Sequence, residues 1–228
     1  MIQVTYISHS GFLVETDSAY LLFDYYQGVI PDMKEEKPRY VFASHSHDDH
    51  FNKKIFELEK MNKDVTYILS SDIEIKTSEN RISIPENVKK QIGLLQVETF
   101  RSTDEGVAFL VTIDQKVIFH AGDLHWWHWI GEPEEDNEAM KQMYLTEMKK
   151  LERRHIDLAF LVLDPRQEAA FDWGFDYFLK HTDTDIAFPM HFWKDYSVID
   201  AYKYSEKAKE VREKVMDICR EGQSFTFS

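Results

Sequence analysis

Cysteine is almost absent from the 228 residues: Cys219 stands alone, so no intrachain disulfide can form and a zinc site built on paired thiolates is excluded. Glycine is scarce at 8 residues, and none falls in a GxGxxG or P-loop arrangement that would cradle a phosphate. Positive charge is in deficit, with 27 basic against 41 acidic residues and a net charge of −14. That balance argues against a nucleic-acid backbone as partner, because no cationic surplus exists to displace counterions. A long apolar run is also missing: nothing approaches the roughly 18 residues of a membrane span, and Met1–Ser10 has no basic-then-apolar leader pattern. The expectation is a soluble, cytoplasmic protein with no membrane partner. With 43% hydrophobic and 30% charged residues, disorder and collagen-like repeats are excluded. Without repeats or Gly/Ser linkers, residues 1–228 are expected to form a single domain.

The first half has the pattern of short strands. Ile2–Ile7, Gly11–Glu15 and Tyr20–Asp24 are β-rich runs separated by turn residues, which predicts an antiparallel meander. Tyr40–Ser44 is a compact apolar strand, and the spacing over Asn52–Met61 predicts a helix. Strands are expected at Val65–Leu69, Ile82–Ile84, Leu94–Phe100, Val107–Ile113 and Val117–His120. The second half alternates helix and strand. Glu134–His155 opens after Pro133 with acidic residues, as suits a helix N-terminus. Ile156–Leu163 and Asp185–Met190 are buried-strand runs, Ala169–Lys180 and Ser205–Ile218 are expected helices, and Ser224–Phe227 is a closing edge strand. Strand runs followed by helices, twice over, favour two packed sheets with helices outside.

Chemistry concentrates in His45-Ser46-His47-Asp48-Asp49-His50, immediately after the Tyr40–Ser44 strand; three of the ten histidines fall in these six residues. In extended backbone, positions i and i+2 face the same way, so His45 and His47 can converge on one ion. A turn would then swing Asp49 and His50 toward an adjacent site. Imidazoles and carboxylates are donors that suit zinc and similar divalent ions. The plainer alternative is a histidine-rich surface loop, but the end of a buried strand is where loops carry function.

These residues match in full the HxHxDH signature of the metallo-β-lactamase fold superfamily, and the chain resembles its branch of small metal-dependent hydrolases. Ile7–Phe12 and Leu21–Asp24 are similar to the opening hairpin of that branch, Phe119–Asp123 to the strand end whose aspartate bridges two metals, and Pro189–Phe192 to the late strand end bearing a histidine. The resemblance implies an α/β fold, a four-layer αββα sandwich with the site where the two sheets meet at one edge. It implies that His45 and His47 bind the first metal, that Asp49, His50 and His191 bind the second, and that Asp123 bridges them. Asp49 and Asp123 would be the catalytic carboxylates. The implied cofactor is zinc, one or two ions, with manganese or iron as alternatives. The implied activity is hydrolysis by a metal-bound hydroxide, since a divalent ion can bring the pKa of water from 15.7 to about 7. A small-molecule ester, lactone, amide or phosphodiester is the expected substrate class.

One departure matters. The family usually has a third histidine on the first metal, and no histidine occurs here between His50 and His120. Glu98–Gly106 occupies that region, with Arg101 where the histidine would stand. A guanidinium has no lone pair to give a metal; Asp104 is the candidate substitute ligand, and Arg101 becomes a candidate contact for an anionic substrate group. The gap also motivates a second reading, a non-catalytic metal- or ligand-binding protein with a degenerate first site. Around this centre, His9 can flank the pocket floor or be an ordinary turn residue, and His120 can support the site or belong to the core. Trp126, in the cluster Trp126-Trp127-His128-Trp129, can wall the pocket or pack in the core. Arg166 can pair with Asp164 or contact a substrate anion. His155 is expected at a helix end and His181 at the surface.

Overall fold

The chain folds into two mixed sheets packed face to face, with helices on the outside. The computed structural model describes residues 1–61 and 64–227. In the first half the strands are β1 (Ile2–Ser8), β2 (Gly11–Glu15), β3 (Tyr20–Phe23), β4 (Arg39–Ala43), β5 (Val65–Ser70) and β6 (Arg81–Ile84). They are followed by β7 (Lys89–Ile92), β8 (Leu95–Arg101), β9 (Val107–Ile113), β10 (Lys116–His120), β11 (His155–Val162), β12 (Asp183–Met190) and β13 (Ser224–Phe227). The first sheet has the order β13-β1-β2-β3-β4-β5-β6 and the second β12-β11-β10-β9-β8-β7. The expected meander is present, since β1, β2 and β3 pair antiparallel, while β3 through β6 run parallel. In the second sheet β7 to β10 are antiparallel and β10, β11 and β12 are parallel.

The inner faces meet in one core in which Phe12, Phe23, Phe42, Phe109, Phe119, Phe160 and Phe188 are buried. Strands β4 and β11 are apolar on both faces, as expected of parallel strands covered on both sides. Helices α2 (Glu134–Leu151) and α3 (Trp173–His181) pack with the second sheet; α1 (Leu58–Met61) and α4 (Ser197–Lys203) are shorter. The outer face of the first sheet carries its own apolar layer, including Ile7, Leu22, Val41, Ile55, Leu58 and Leu69.

Four expected helices differ from what forms. Asn52–Met61 is a 3-10 segment, Lys53–Glu57, followed by the single turn of α1. Helix α2 ends at Leu151 because Arg153 takes a left-handed backbone, φ 58°, and its N–H donates to the His181 carbonyl. His155 therefore opens strand β11 and is no helix-end residue; its Nδ1 lies 3.2 Å from Asp183. The Ala169–Lys180 segment divides into a 3-10 turn, Pro165–Ala170, and α3. Ser205–Ile218 is broken into short 3-10 turns because Val215 forms a parallel bridge with Ala187, and the Met216 N–H donates to the Ala187 carbonyl. Covering the open edge of β12 demands extended backbone there, and that tertiary bond overrides the helical spacing.

One glycine governs how closely the sheets approach at the site. Gly106 has φ +70°, and a Cβ there would collide with the Ser44 carbonyl and come within 2.6 Å of the His45 Cβ. Gly106→Ala combines this collision with backbone strain, so it is expected to destabilise the fold by at least about 2 kcal/mol in chemical denaturation.

Candidate metal centre

The carboxyl ends of the parallel strands converge on one edge of the sandwich. Asp24 follows β3, Ser44 to His50 follow β4, Asp123 follows β10, Asp164 follows β11 and His191 follows β12. The β1–β2 turn adds His9. After β4 the chain turns sharply, the His47 carbonyl accepting the N–H groups of His50 and Phe51 at 3.0 and 2.9 Å. Backbone strain gathers here: His9, Asp24 and His191 have φ of 56°, 41° and 67°. Such conformations persist where the surroundings hold them and commonly mark functional positions.

The donors face one another without closing into hydrogen bonds among the described residues. Asp123 Oδ1 lies 3.2 Å from His50 Nε2 and 3.5 Å from His191 Nε2, and its Oδ2 lies 3.7 Å from His45 Nε2. Asp49 Oδ2 is 3.4 Å from His9 Nε2 and 4.0 Å from His191 Nε2. Two donors about 2.05 Å from one tetrahedral ion stand roughly 3.3 Å apart, so these gaps suit a shared cation. Among the described residues, the Nε2 atoms of His9, His45, His50 and His191 and the Oδ1 of Asp123 are buried without a hydrogen-bond partner. Buried polar atoms are normally satisfied, so this convergent set fits a metal. His45, His50 and Asp123 form one group able to hold an ion; His9, Asp49, His50 and His191 form another.

Outer partners aim the rings. His50 Nδ1 lies 2.7 Å from Asp24 and His191 Nδ1 lies 2.9 Å from Asp164. An ionised carboxylate only accepts, so each ring must carry a proton on Nδ1, which leaves Nε2 as the inward-facing nitrogen; His50, whose pKa is raised, gives up its Nε2 proton when a metal binds. Ser44 relays the same constraint: its Oγ donates to Asp24 at 2.6 Å and stands 2.9 Å from His45 Nδ1. Burial by itself would raise the Asp123 carboxyl, but His50 and His191 hold it well below the usual carboxylate range. Burial opposes charge on His50, yet Asp123 and Asp24 beside it push its pKa well above the ordinary value. Burial brings His45 down to about 4. These groups keep carboxylates ionised and His45 neutral near pH 7, the states that bind metals.

The remaining predicted residues divide. His47 is nearly half exposed, with Nδ1 3.8 Å from Asp104 and Nε2 3.6 Å from Glu105. His47, Asp104 and Asp123 form a third group able to hold an ion. Arg101 is not brought to the cluster: it lies at the end of β8 and opens onto a groove with Gln142, Met143, Thr146 and Glu147. Trp126 also lies apart, packed against Tyr144, Trp173 and Tyr177. Its neighbour Trp127 reaches the centre instead, 5.7 Å from the His191 ring, with Nε1–H donating to the Asp123 carbonyl. Arg166 pairs with Asp164, its Nε 3.0 Å from both carboxylate oxygens, and its guanidinium lies over the rings of Trp129 and Trp193. About half of the Arg166 side chain is exposed. His120 belongs to the core: it stacks on Phe23, contacts the Ser10 carbonyl and accepts the Gly122 N–H. Asp24, Ser44 and Asp164 were not singled out from the sequence as supports of the rings; the only linear signal was an acid directly after an apolar strand.

His125 is fully buried, with Nε2 2.8 Å from Gln167, and burial brings its pKa down to about 4. A folded pKa below the unfolded 6.5 gives stability that is present above pH 6.5 and lost as pH falls toward 4. By pH 5 this residue alone is expected to remove about 2 kcal/mol. Denaturation curves of the metal-free protein at pH 7 and 5 check it, with His125→Gln showing a shallower acid loss than the parent.

No curated protein matches the chain. Residues 3–137, more than half of it, match the family described as the beta-lactamase superfamily domain, and the chain belongs to that family. Among solved structures it is similar to Igni18, a metallo hydrolase of the hyperthermophilic archaeon Ignicoccus hospitalis, with TM-score 0.60 and 16% identity over 100% of this chain and 99% of that one. The metallo-beta-lactamase fold protein YhfI of Bacillus subtilis gives TM-score 0.61 and 15% identity over 98% of each chain. CmlA, a diiron beta-hydroxylase of Streptomyces venezuelae, gives TM-score 0.52 and 10% identity over 83% of this chain and 44% of that one. At these identities the likeness establishes the metallo-β-lactamase sandwich.

Proposed function

We propose that this chain is a metal-dependent hydrolase acting on a small-molecule ester, lactone, amide or phosphodiester, with zinc as the first-choice cofactor and manganese or iron as alternatives. The observation that carries the reading is the buried set of Nε2 atoms and the Asp123 Oδ1, which have no hydrogen-bond partner among the described residues. His45, His47, Asp49, His50, Asp104, Asp123 and His191 would hold the metal, with Asp123 shared between two positions. When bound, a divalent ion supplies a water nucleophile at neutral pH and neutralises charge developing on substrate oxygens.

The chain's own groups do the rest. Asp49 is about a quarter exposed and held as an anion: burial opposes this, but His9 and His50 outweigh it. Its Oδ2 is therefore available as an anionic donor to a metal and as a hydrogen-bond acceptor. Asp24 and Asp164 keep His50 and His191 in one tautomer. Arg166, clamped to Asp164 and flanked by Trp129 and Trp193, presents donors to an anionic substrate group at the mouth. The net charge of −14 supports a small molecule over nucleic acid. Among the described residues no helix is long and apolar enough to cross a membrane, and the proposal carries a cytoplasmic location with no membrane partner.

The test measures metal per chain and turnover on a panel of esters, lactones, amides and phosphodiesters. One or two ions per chain are expected, with turnover on at least one class that disappears on chelation and returns with metal. Undiminished turnover in the doubly substituted His47→Ala, Asp123→Ala protein would reject the metal mechanism. The exposure of His47 and the absent third histidine favour a second reading, a non-catalytic binding protein; one tightly held ion with no turnover across the whole panel would support it.

A further inference from the structure

We propose that His9, from the β1–β2 turn, is a direct ligand of the ion held by Asp49, His50 and His191. The inference rests on the metal-binding part of the proposed function and adds a donor that the HxHxDH pattern does not contain. Six histidines are buried: His9, His45, His50, His120, His125 and His191. The two outside the cluster have conventional partners, His120 with the Ser10 carbonyl and Gly122 N–H, and His125 with Gln167. The four with an unpartnered Nε2 are the three expected ligands and His9.

Geometry separates ligation from a merely supporting contact. His9 Nε2 lies 3.4 Å from Asp49 Oδ2, beyond the 2.7–3.2 Å of an ordinary N–H···O bond and near the edge length of a metal polyhedron. Donor atoms of His9, Asp49, His50 and His191 all lie within 4.8 Å of one another. The His9 ring is 4.2 Å from that of His191, the same separation as between His45 and His50. Its placement is enforced: the ring is wedged between His191 and Trp193, the His9 backbone N–H donates to the Tyr6 hydroxyl at 2.9 Å, and the His9 backbone carbonyl accepts the His191 backbone N–H. A histidine at φ 56° on a tight hairpin is strained, and nothing in the hairpin requires an imidazole. A cavity of about 160 Å³ bordered by Ser8, Tyr26, Gln27 and Lys194 adjoins the residue, while both ring nitrogens of His9 are buried without a hydrogen-bond partner among the described residues.

The consequence is an asymmetric centre. The first position lacks its third histidine, whereas the second gains one, so the tightest ion sits among His9, Asp49, His50 and His191.

Cobalt(II) titration of the metal-free full-length protein, followed by visible absorption, tests this. His9→Gly suits the left-handed backbone, and circular dichroism with thermal melting of the metal-free variant checks that it folds; His9→Asn, also tolerant of that backbone, is the second variant. The expected result is at least a 100-fold weaker first cobalt, a changed d–d spectrum, and restoration of both in His9→Gly by added imidazole. His181→Ala, at an exposed histidine outside the cluster, should leave that first cobalt unchanged. A first cobalt bound by His9→Gly and His9→Asn with wild-type affinity and spectrum overturns the inference alone. A tenfold loss with an unchanged spectrum also overturns it, since that marks a group that only positions Asp49. Wild-type protein that takes up no cobalt, zinc or manganese overturns the proposed function together with the inference.

Discussion

Asp123→Ala is expected to weaken metal binding at least about 100-fold, beyond the 10–100-fold typical of a lost outer partner, and to take hydrolysis down to the metal-free background. The reason is its position. Oδ1 faces His50 and His191 while Oδ2 faces His45, so one carboxylate serves both halves of the cluster. Removing it takes away the carboxylate that His45, His50 and His191 share and leaves Asp49, on the far side of His191, as the remaining anion of the pair. The fold should survive, because the residue is tied by its backbone: its carbonyl accepts from Thr103 Oγ1 at 3.0 Å and from Trp127 Nε1 at 3.1 Å. Metal stoichiometry and a melting curve of the same preparation check both halves. Full metal content in the variant would remove Asp123 from the centre.

The second large effect is expected at Asp24, which would touch no ion. Its carboxylate accepts the Ser44 N–H at 2.8 Å and the Ser44 hydroxyl at 2.6 Å, and His50 Nδ1 lies 2.7 Å away, all in a fully buried environment. Asp24→Ala strands these donors and is expected to lower stability by about 3–5 kcal/mol. Asp24→Asn is the more informative change. It keeps the shape, removes the charge that fixes the His50 tautomer, and should reduce metal affinity 10–100-fold with a smaller loss of stability. Isothermal titration with zinc and urea denaturation separate the two quantities. Unaltered affinity in Asp24→Asn would show that the His50 ring needs no carboxylate to aim it.

What was legible in the sequence follows from how directly residue order maps onto the fold. The His45–His50 run, Asp123 and His191 all sit at strand ends, where a short apolar run stops and polar residues cluster, so linear pattern was enough to suggest them. Asp24 and Asp164 are single acids in common contexts; only the alignment of β3, β4, β11 and β12 sets them behind His50 and His191. His9 acquires significance the same way, through a hairpin whose turn packs against the β12 end. Proximity in sequence misled where direction mattered. Trp126 and Trp127 are adjacent, yet one packs toward α2 and α3 while the other meets Asp123. Arg101 is three residues from Asp104 but opens onto the α2 groove. The apolar spacing of Ala208, Val211, Val215 and Ile218 fits a helix, and all four are buried, but pairing with β12 takes them into turns.

Anomalous X-ray diffraction from zinc-loaded crystals, collected on either side of the zinc edge, tests the central claim most directly. The account predicts a strong peak about 2.1 Å from the Nε2 atoms of His50 and His191 and an oxygen of Asp123, with any second, weaker peak on the His45 and His47 side. A cluster whose imidazoles and carboxylates close on one another through direct hydrogen bonds, with zinc found only at surface sites, would contradict it.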